Sequence, residues 1–172
     1  DGSVRLWDTE TASLARSFQL QRTPIYTVGV SPDGKWLAYG AGSRDDPAPK
    51  HVRVIDAETG TALGTLNAHD STIRQVRFAP SGRLLASSGL QEDVRIWRFT
   101  KGIQGHSYDL SGQQDTSPEY FAIHFMDDRR LLTEFHNRHG YRIWNAEEGS
   151  VVYDYPSVSD GNVNCVSWCE GI

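Results

Sequence analysis

The feature that most constrains this chain is an internal repeat. Three segments share the same order of an apolar strand end, a tight polar turn and a new apolar strand, and they are anchored at Val30, Phe78 and Phe125. These anchors lie 48 and 47 residues apart, and Trp168 follows 43 residues later. Self-similarity at such a period predicts an array of stacked supersecondary units.

A second motif runs in phase with the first and alternates apolar residues with arginine. Its four copies are Val4-Arg5-Leu6-Trp7-Asp8, Val52-Arg53-Val54-Ile55-Asp56, Val94-Arg95-Ile96-Trp97-Arg98 and Tyr141-Arg142-Ile143-Trp144-Asn145. Alternation with period two predicts β-strands, and helical periodicity is absent. Three of the copies lead into a polar turn that ends in a small residue, namely Ala12, Gly60 and Gly149.

Each repeat therefore predicts four antiparallel strands, A to D. Strand A ends at the anchor, strand B follows the turn, strand C carries the arginine motif and strand D leads to the next unit. A period in the forties with four strands is typical of a β-propeller blade.

This layout resembles the WD40-repeat (WD-repeat) family over nearly the whole chain. The Trp-Asp dipeptide occurs once, at Trp7-Asp8, and the family's Gly-His dipeptide appears as Ala68-His69. The resemblance implies an all-β fold, a β-propeller fragment of about three and a half four-stranded antiparallel blades.

We predict one partial WD-repeat propeller over residues 1–172. The expected blades are residues 1–20 (partial), 21–68, 69–115, 116–160 and 161–172 (partial). Because the sequence starts at strand C and ends on strand A, we expect a piece of a seven- or eight-bladed propeller; a closed four-bladed ring that lacks one strand is the alternative. Uncovered edges predict marginal stability or self-association of the chain alone.

The resemblance also implies a buried network in which a histidine, a Ser or Thr, an Asp and the strand C Trp are hydrogen-bonded. In one blade the matching residues are His69, Ser87 (or Ser88) and Trp97, with Gln91 at the Asp position and Asp93 displaced. A half-built network of this kind is weaker than a complete one.

The other blades match this network less well. Asp1 and Trp7 keep the expected spacing of six, but Arg138 occupies the Asp position of the Trp144 blade and Ile55 replaces the Trp of another. We therefore expect apolar packing to dominate. The predicted core positions are Val28, Val30, Leu37, Val76, Phe78, Leu85, Ile96, Trp97, Ile123, Phe125, Leu132, Ile143 and Trp144.

Composition excludes several classes of function. The net charge is −5 and no basic run occurs, so direct nucleic-acid binding is not expected. No apolar window is long enough for a transmembrane helix, so no membrane partner is expected. The two cysteines, Cys165 and Cys169, are predicted to be reduced, partly buried thiols, and a composition this poor in cysteine favours the cytoplasm or the nucleus.

No catalytic, cofactor or metal constellation is expected. His136 and His139 lie in a predicted turn without further ligands at suitable spacing, and neither a nucleophile elbow nor a phosphate loop occurs. One alternative stays open. The stretch 31–39 is also similar to blades of TolB-like and prolyl-oligopeptidase-like propellers, which gate a separate hydrolase domain that is not part of this sequence.

Binding by loops on a rigid scaffold is the function that the pattern favours, and the partners would be other proteins or peptides. Two insertions, in the B–C loop 41–50 and in the D–A loop 111–119, fall on the same propeller face. At the start of strand A on that face, one repeat position changes its side chain while its neighbours stay apolar. We predict this position to be a partner site, with loop 45–50 at its rim; it is occupied by Tyr26, Arg74, Phe121 and Asn164.

Overall fold

The computed structural model describes residues 2–41, 50–90, 94–99, 106–109, 120–135 and 140–155, and within these ranges it contains strands and no helix. The strands, in chain order, are β1 (Ser3–Asp8), β2 (Ser13–Gln19), β3 (Ile25–Val30), β4 (Trp36–Ala41), β5 (Lys50–Asp56), β6 (Ala62–His69), β7 (Ile73–Phe78), β8 (Leu84–Gly89), β9 (Val94–Arg98), β10 (His106–Asp109), β11 (Tyr120–Phe125), β12 (Arg130–Phe135), β13 (Tyr141–Asn145) and β14 (Ser150–Tyr155).

The strands form four antiparallel sheets in which neighbours follow chain order. Sheet 1 contains β1 and β2, sheet 2 contains β3 to β6, sheet 3 contains β7 to β10, and sheet 4 contains β11 to β14. The first strands of sheets 2, 3 and 4 pack side by side, since β7 contacts both β3 and β11. Strand A is therefore innermost and the sheets are blades of a β-propeller, which confirms the predicted fold class. The exact blade boundaries remain predictions.

A short polar turn joins strands A and B in each four-stranded sheet, and in sheets 2 and 3 this turn contains a glycine with positive φ, Gly34 or Gly82. In sheet 2, Gly34 has φ +71° and its N–H donates to the carbonyl of Ser31 at 2.8 Å. Asp33 accepts the Ser31 hydroxyl at 2.6 Å and the Lys35 N–H at 3.1 Å. These hydrogen bonds, the one from Ser31 most strongly, hold the pKa of Asp33 below its usual range.

The turn that joins strands C and D repeats three times with the same cap. Asp8, Asp56 and Asn145 each accept two backbone N–H groups with one side-chain oxygen. For Asp56 the N–H of Thr59 is the main cause of a lowered pKa. Such side-chain caps are why Asp and Asn are preferred in turns.

The last residue of this turn adopts a left-handed conformation in each copy. Gly60 and Gly149 have φ of +73° and +71°, but Ala12 has φ of +51° at the same position. An L-residue with a Cβ atom is strained there by about 1–2 kcal/mol.

We expect the substitution Ala12→Gly to stabilise the chain by about 0.5 kcal/mol, because relief of backbone strain outweighs the greater entropy of glycine in the unfolded state. Urea denaturation followed by circular dichroism measures this. The reverse change, Gly60→Ala, should destabilise strongly, since an added Cβ would lie 2.6 Å from Cδ1 of Phe18. Destabilisation by Ala12→Gly would contradict the interpretation.

The apolar core lies between neighbouring sheets, as expected when each blade covers one face of the next. Sheets 2 and 3 bury between them Ala38, Val52, Val54, Leu66, Ala68, Ile73, Val76, Leu85 and Trp97. Sheets 3 and 4 bury Ala79, Leu84, Ala86, Val94, Ile96, Ile123, Leu131, Trp144 and Ala146. Most predicted core positions are buried, and Phe78 and Phe125 are partly buried against these clusters.

Two predicted core positions are wrong. Val28 and Val30 are 42% and 53% exposed, whereas Val76, the repeat equivalent of Val28, is fully buried. Val76 packs against sheet 2, which has all four strands. Sheet 1 has only the outer strands β1 and β2, so it leaves the inner part of the β3 face uncovered.

Hydrogen bonds also join the inner strands. The Thr27 hydroxyl accepts the N–H of Val76 at 3.1 Å, and 48 residues further on Oε1 of Gln75 accepts the N–H of Ile123 at 3.1 Å. The equivalent position of sheet 4 is Ala122, which has no acceptor. These side chains fix the inner strands of sheets 2, 3 and 4 relative to one another.

Candidate protein-interaction surface

The innermost strand carries a bulge at the same position in all three four-stranded sheets. In sheet 2 the pairing with β4 passes from Ile25 to Thr27 and leaves Tyr26 without a partner residue. The same shift skips Arg74 in sheet 3 and Phe121 in sheet 4. A bulge residue is released from the regular alternation and can be directed away from the sheet face. Three of the four residues predicted to form the partner site are therefore bulge residues.

The described side chains at this position are exposed although they follow a core residue. Tyr26 is 55% exposed and Arg74 is also exposed, while Ile73 is completely buried. Because β3 and β7 are adjacent, the two side chains lie on neighbouring inner strands at one end of the propeller. The side chain of Phe121 and all of Asn164 fall outside the described residues.

The predicted loops that surround this end are mostly outside the described ranges, which omit 42–49 and 110–119. Lys50, the last residue of the predicted rim, is the first residue of β5 and is buried. Ala41 pairs with Ile25, so the B–C connection leaves the sheet at the same end as the bulge.

The buried network of sheet 3 involves three of the residues named from the sequence. His69, at the end of β6, lies with Nε2 3.0 Å from Oγ of Ser87, and Nε1 of Trp97 donates to the same oxygen at 3.1 Å. All three are buried. His69 belongs to the strand that ends sheet 2, so this network ties sheet 2 to sheet 3.

Sequence reasoning missed a second indole–hydroxyl pair in sheet 4. Nε1 of Trp144 donates to Oγ1 of Thr133 at 2.8 Å, and that hydroxyl donates to the carbonyl of Arg142 at 3.5 Å. Thr133 lies two residues after Leu131 on strand B, just as Ser87 lies two residues after Leu85. This shared spacing is the sequence signal that could have predicted the pair. In sheet 2 the same two positions hold Tyr39 and Ile55.

The residues named for the first blade are placed differently. Trp7 is 60% exposed, and no described residue accepts a hydrogen bond from its indole N–H. Asp1 lies outside the described residues.

In the described part of the chain, no group of three His, Cys, Asp or Glu side chains is arranged to hold a metal ion. His136, His139, Cys165 and Cys169 fall outside that part. Partial burial, with a smaller effect of the Arg77 charge, lowers the pKa of His124. The described residues contain no helix that is long and apolar enough to cross a membrane.

Comparison with known proteins points to one class of repeat. Residues 60–98 match the family model described as WD domain, G-beta repeat. Nuclear distribution protein nudF of Aspergillus niger is 22% identical over 98% of this chain and 40% of its own length. Protein groucho of Drosophila melanogaster is 31% identical over 77% of this chain and 16% of its own length.

A solved structure shows the same fold. The β-propeller domain of Myceliophteria thermophila Cps50 (Swd1) superposes with a TM-score of 0.75 and 18% identity over 92% of this chain and 50% of that chain. The chain therefore spans about half of the Cps50 domain, and it spans 40% of nudF and 16% of groucho.

The radial four-stranded sheets define a β-propeller. The family match over residues 60–98, together with the relatives and the shared fold, supports a fragment of a WD40-repeat propeller. The strand C tryptophans and the contacts of His69, Ser87 and Trp97 favour this class over the TolB-like one.

Proposed function

We propose that this chain is a non-catalytic protein–protein interaction scaffold that presents one propeller face to partner proteins. The observation that carries the proposal is the bulge repeated on the innermost strand, which holds Tyr26 and Arg74 exposed above a buried layer. WD40 propellers generally act as scaffolds, and groucho and nudF are similar to this chain.

The chemistry of the surface suits protein recognition. Tyr and Arg combine a large contact area with directional hydrogen bonding and are enriched among the residues that dominate interfaces. The strands that carry them are fixed by the bonds of Thr27 and Gln75 to the next strand. A preorganised site loses less conformational entropy when it binds. Phe121 and Asn164, at the same repeat position, complete the proposed site.

The proposed partners are other proteins or peptides, without direct nucleic-acid or membrane binding. The net charge of −5 repels a phosphate backbone. Neither a cofactor nor a metal has a role in this proposal, and the proposed location is the cytoplasm or the nucleus.

We expect the double substitution Tyr26→Ala with Arg74→Ala to weaken partner binding at least about tenfold, because both side chains are removed from one site. The measurement is a quantitative pull-down from cell extract with the full-length protein. A matched control is Tyr153→Ala with Arg53→Ala, since Tyr153 is 56% exposed on outer strand β14 and Arg53 is exposed on β5.

Circular dichroism shows whether each variant is folded. An unchanged set of partners with a folded double variant would place the binding site elsewhere. Equal losses in the matched control would show that the effect is not specific to the inner strands.

A further inference from the structure

The turn after strand C departs from its own repeat in sheet 3. Asp56 and Asn145 cap this turn in sheets 2 and 4 by accepting backbone N–H groups. Sheet 3 has Arg98 at the same position. A guanidinium group has no hydrogen-bond acceptor, so it cannot replace this cap. The change therefore removes a local stabilising contact.

The next residue departs as well. Phe99 occupies the position that Ala57 and Ala146 hold in the other sheets, yet it makes the same backbone hydrogen bond. The Phe99 N–H donates to the carbonyl of Arg83 at 2.9 Å, and the Ala57 N–H donates to that of Lys35 at 2.8 Å. At these two positions the side chains change from a small cap and an alanine to a cation and an aromatic ring.

A cavity of about 590 Å³ opens beside these two residues, between sheets 3 and 4. It lies on the A–B and C–D turn face, opposite the bulges. The residues that define it as a site are three arginines, Arg83, Arg98 and Arg129, and two apolar residues, Leu84 and Phe99. We call this site the arginine groove. Its volume is in the range of small-ligand and side-chain pockets.

The groove has an excess of unpaired positive charge. Two carboxylates, Asp128 and Glu147, also line it. Asp128 accepts the N–H of Ser81 at 2.7 Å and so joins the two sheets. Among the described residues no ion pair links any of the three arginines to a carboxylate, and Arg98 donates only to the backbone carbonyl of Glu147, at 3.3 Å.

We propose that the arginine groove binds an acidic linear segment of a partner protein, with its carboxylates on Arg83 and Arg129 and an adjacent apolar side chain on Phe99 and Leu84. Arginine forks match carboxylates in geometry and charge. The chain as a whole has a net charge of −5 and repels acidic ligands, so a locally positive site directs such ligands to this groove. This site is separate from the one in the proposed function, since it lies on the other face.

The probe is a fluorescein-labelled peptide, Gly-Glu-Asp-Phe-Glu-Asp-Gly, and its control has Gln and Asn in place of Glu and Asp. We expect fluorescence anisotropy to show saturable binding of the acidic peptide that weakens at higher salt. The double variant Arg83→Gln with Arg129→Gln should bind about tenfold more weakly, since two charge pairs are lost. Arg22→Gln, an exposed arginine between β2 and β3, should bind as the unmodified chain does.

A third variant separates binding from folding. Arg98→Asn recreates the residue found at Asn145, so it should fold at least as stably while it binds the acidic peptide about threefold more weakly. Tyr26→Ala with Arg74→Ala should leave this binding unchanged. The proposal is overturned by equal affinity for the acidic and amide peptides, by full affinity of the folded double variant, or by binding that requires a phosphorylated peptide.

Discussion

The substitution Trp97→Ala is expected to lower the free energy of unfolding by about 3–5 kcal/mol, the range for a large buried aromatic residue. Trp97 is only 4% exposed and packs in the cluster between sheets 2 and 3. Its removal also leaves Ser87 and His69 without the indole N–H that completes their contact. Urea denaturation followed by circular dichroism measures the change.

The chain contains its own control for this experiment. Trp7 holds the same repeat position but is 60% exposed, so Trp7→Ala should cost less than about 1 kcal/mol. Trp97→Phe should give an intermediate cost, since it keeps part of the ring and loses the hydrogen bond. Similar costs for Trp7→Ala and Trp97→Ala would show that the shared position, and not burial between complete sheets, determines the loss.

Local signals in the sequence were sufficient to predict the strands. Val30, Phe78 and Phe125, the anchors at which strand A was predicted to end, are the last residues of β3, β7 and β11. Polar turns with glycine, together with period-two alternation, act over a few residues and need no knowledge of tertiary contacts. For that reason the four-stranded repeat and the all-β class were predictable.

Burial was less predictable because it depends on the neighbouring sheet. Val28 and Val76 occupy the same repeat position and have the same side chain, yet only Val76 is covered. The Thr133–Trp144 hydrogen bond depends on the register of β12, which places the Thr133 hydroxyl near the indole although the blade lacks the expected Asp. Degenerate repeats therefore predict topology better than they predict individual contacts.

The two proposed binding surfaces also differ in how far the sequence revealed them. Tyr26 and Arg74 were found because one repeat position varied between apolar neighbours, but the bulge that exposes them was not predicted from the sequence. The arginine groove combines residues of two sheets, with Arg83 and Arg129 lying 46 residues apart. In the sequence, the groove is indicated only by Arg98, which replaces the turn cap of the other sheets. That replacement does not indicate a site until the cavity beside it is known.

The close approach of sheets 2 and 3 depends on Gly40. A Cβ atom added there would lie 2.4 Å from Cγ2 of Ile73 and 2.9 Å from Cγ2 of Thr27, far inside normal contact. The repeat does not reveal this requirement, because the equivalent positions of sheets 3 and 4 hold Ser88 and Glu134. Glycine is therefore required at position 40 because Ile73 packs against it, and not because the repeat requires glycine at this position.

We expect Gly40→Ala to lower the free energy of unfolding by about 2–3 kcal/mol, since Ile73 is completely buried and cannot move aside freely. Gly34→Ala is the control. Gly34 has φ +71° and no atom within 4 Å of an added Cβ, so only backbone strain of about 1 kcal/mol is expected. Urea denaturation compares the two variants, and a larger cost at Gly34 would contradict the packing argument.

A double-mutant cycle tests whether Ile73 is the residue that clashes. Gly40→Ala combined with Ile73→Ala should cost less than the sum of the two single substitutions, because the second change removes Cγ2, the atom nearest to the new methyl group. Additive costs would mean that the strain lies against atoms that Ile73→Ala leaves in place, namely Cβ of Ile73 at 2.7 Å or Cγ2 of Thr27 at 2.9 Å. Since Arg74 follows Ile73 directly, displacement of Ile73 by Gly40→Ala should also weaken partner binding, while Gly34→Ala, at the opposite end of the sheet, should leave that binding unchanged.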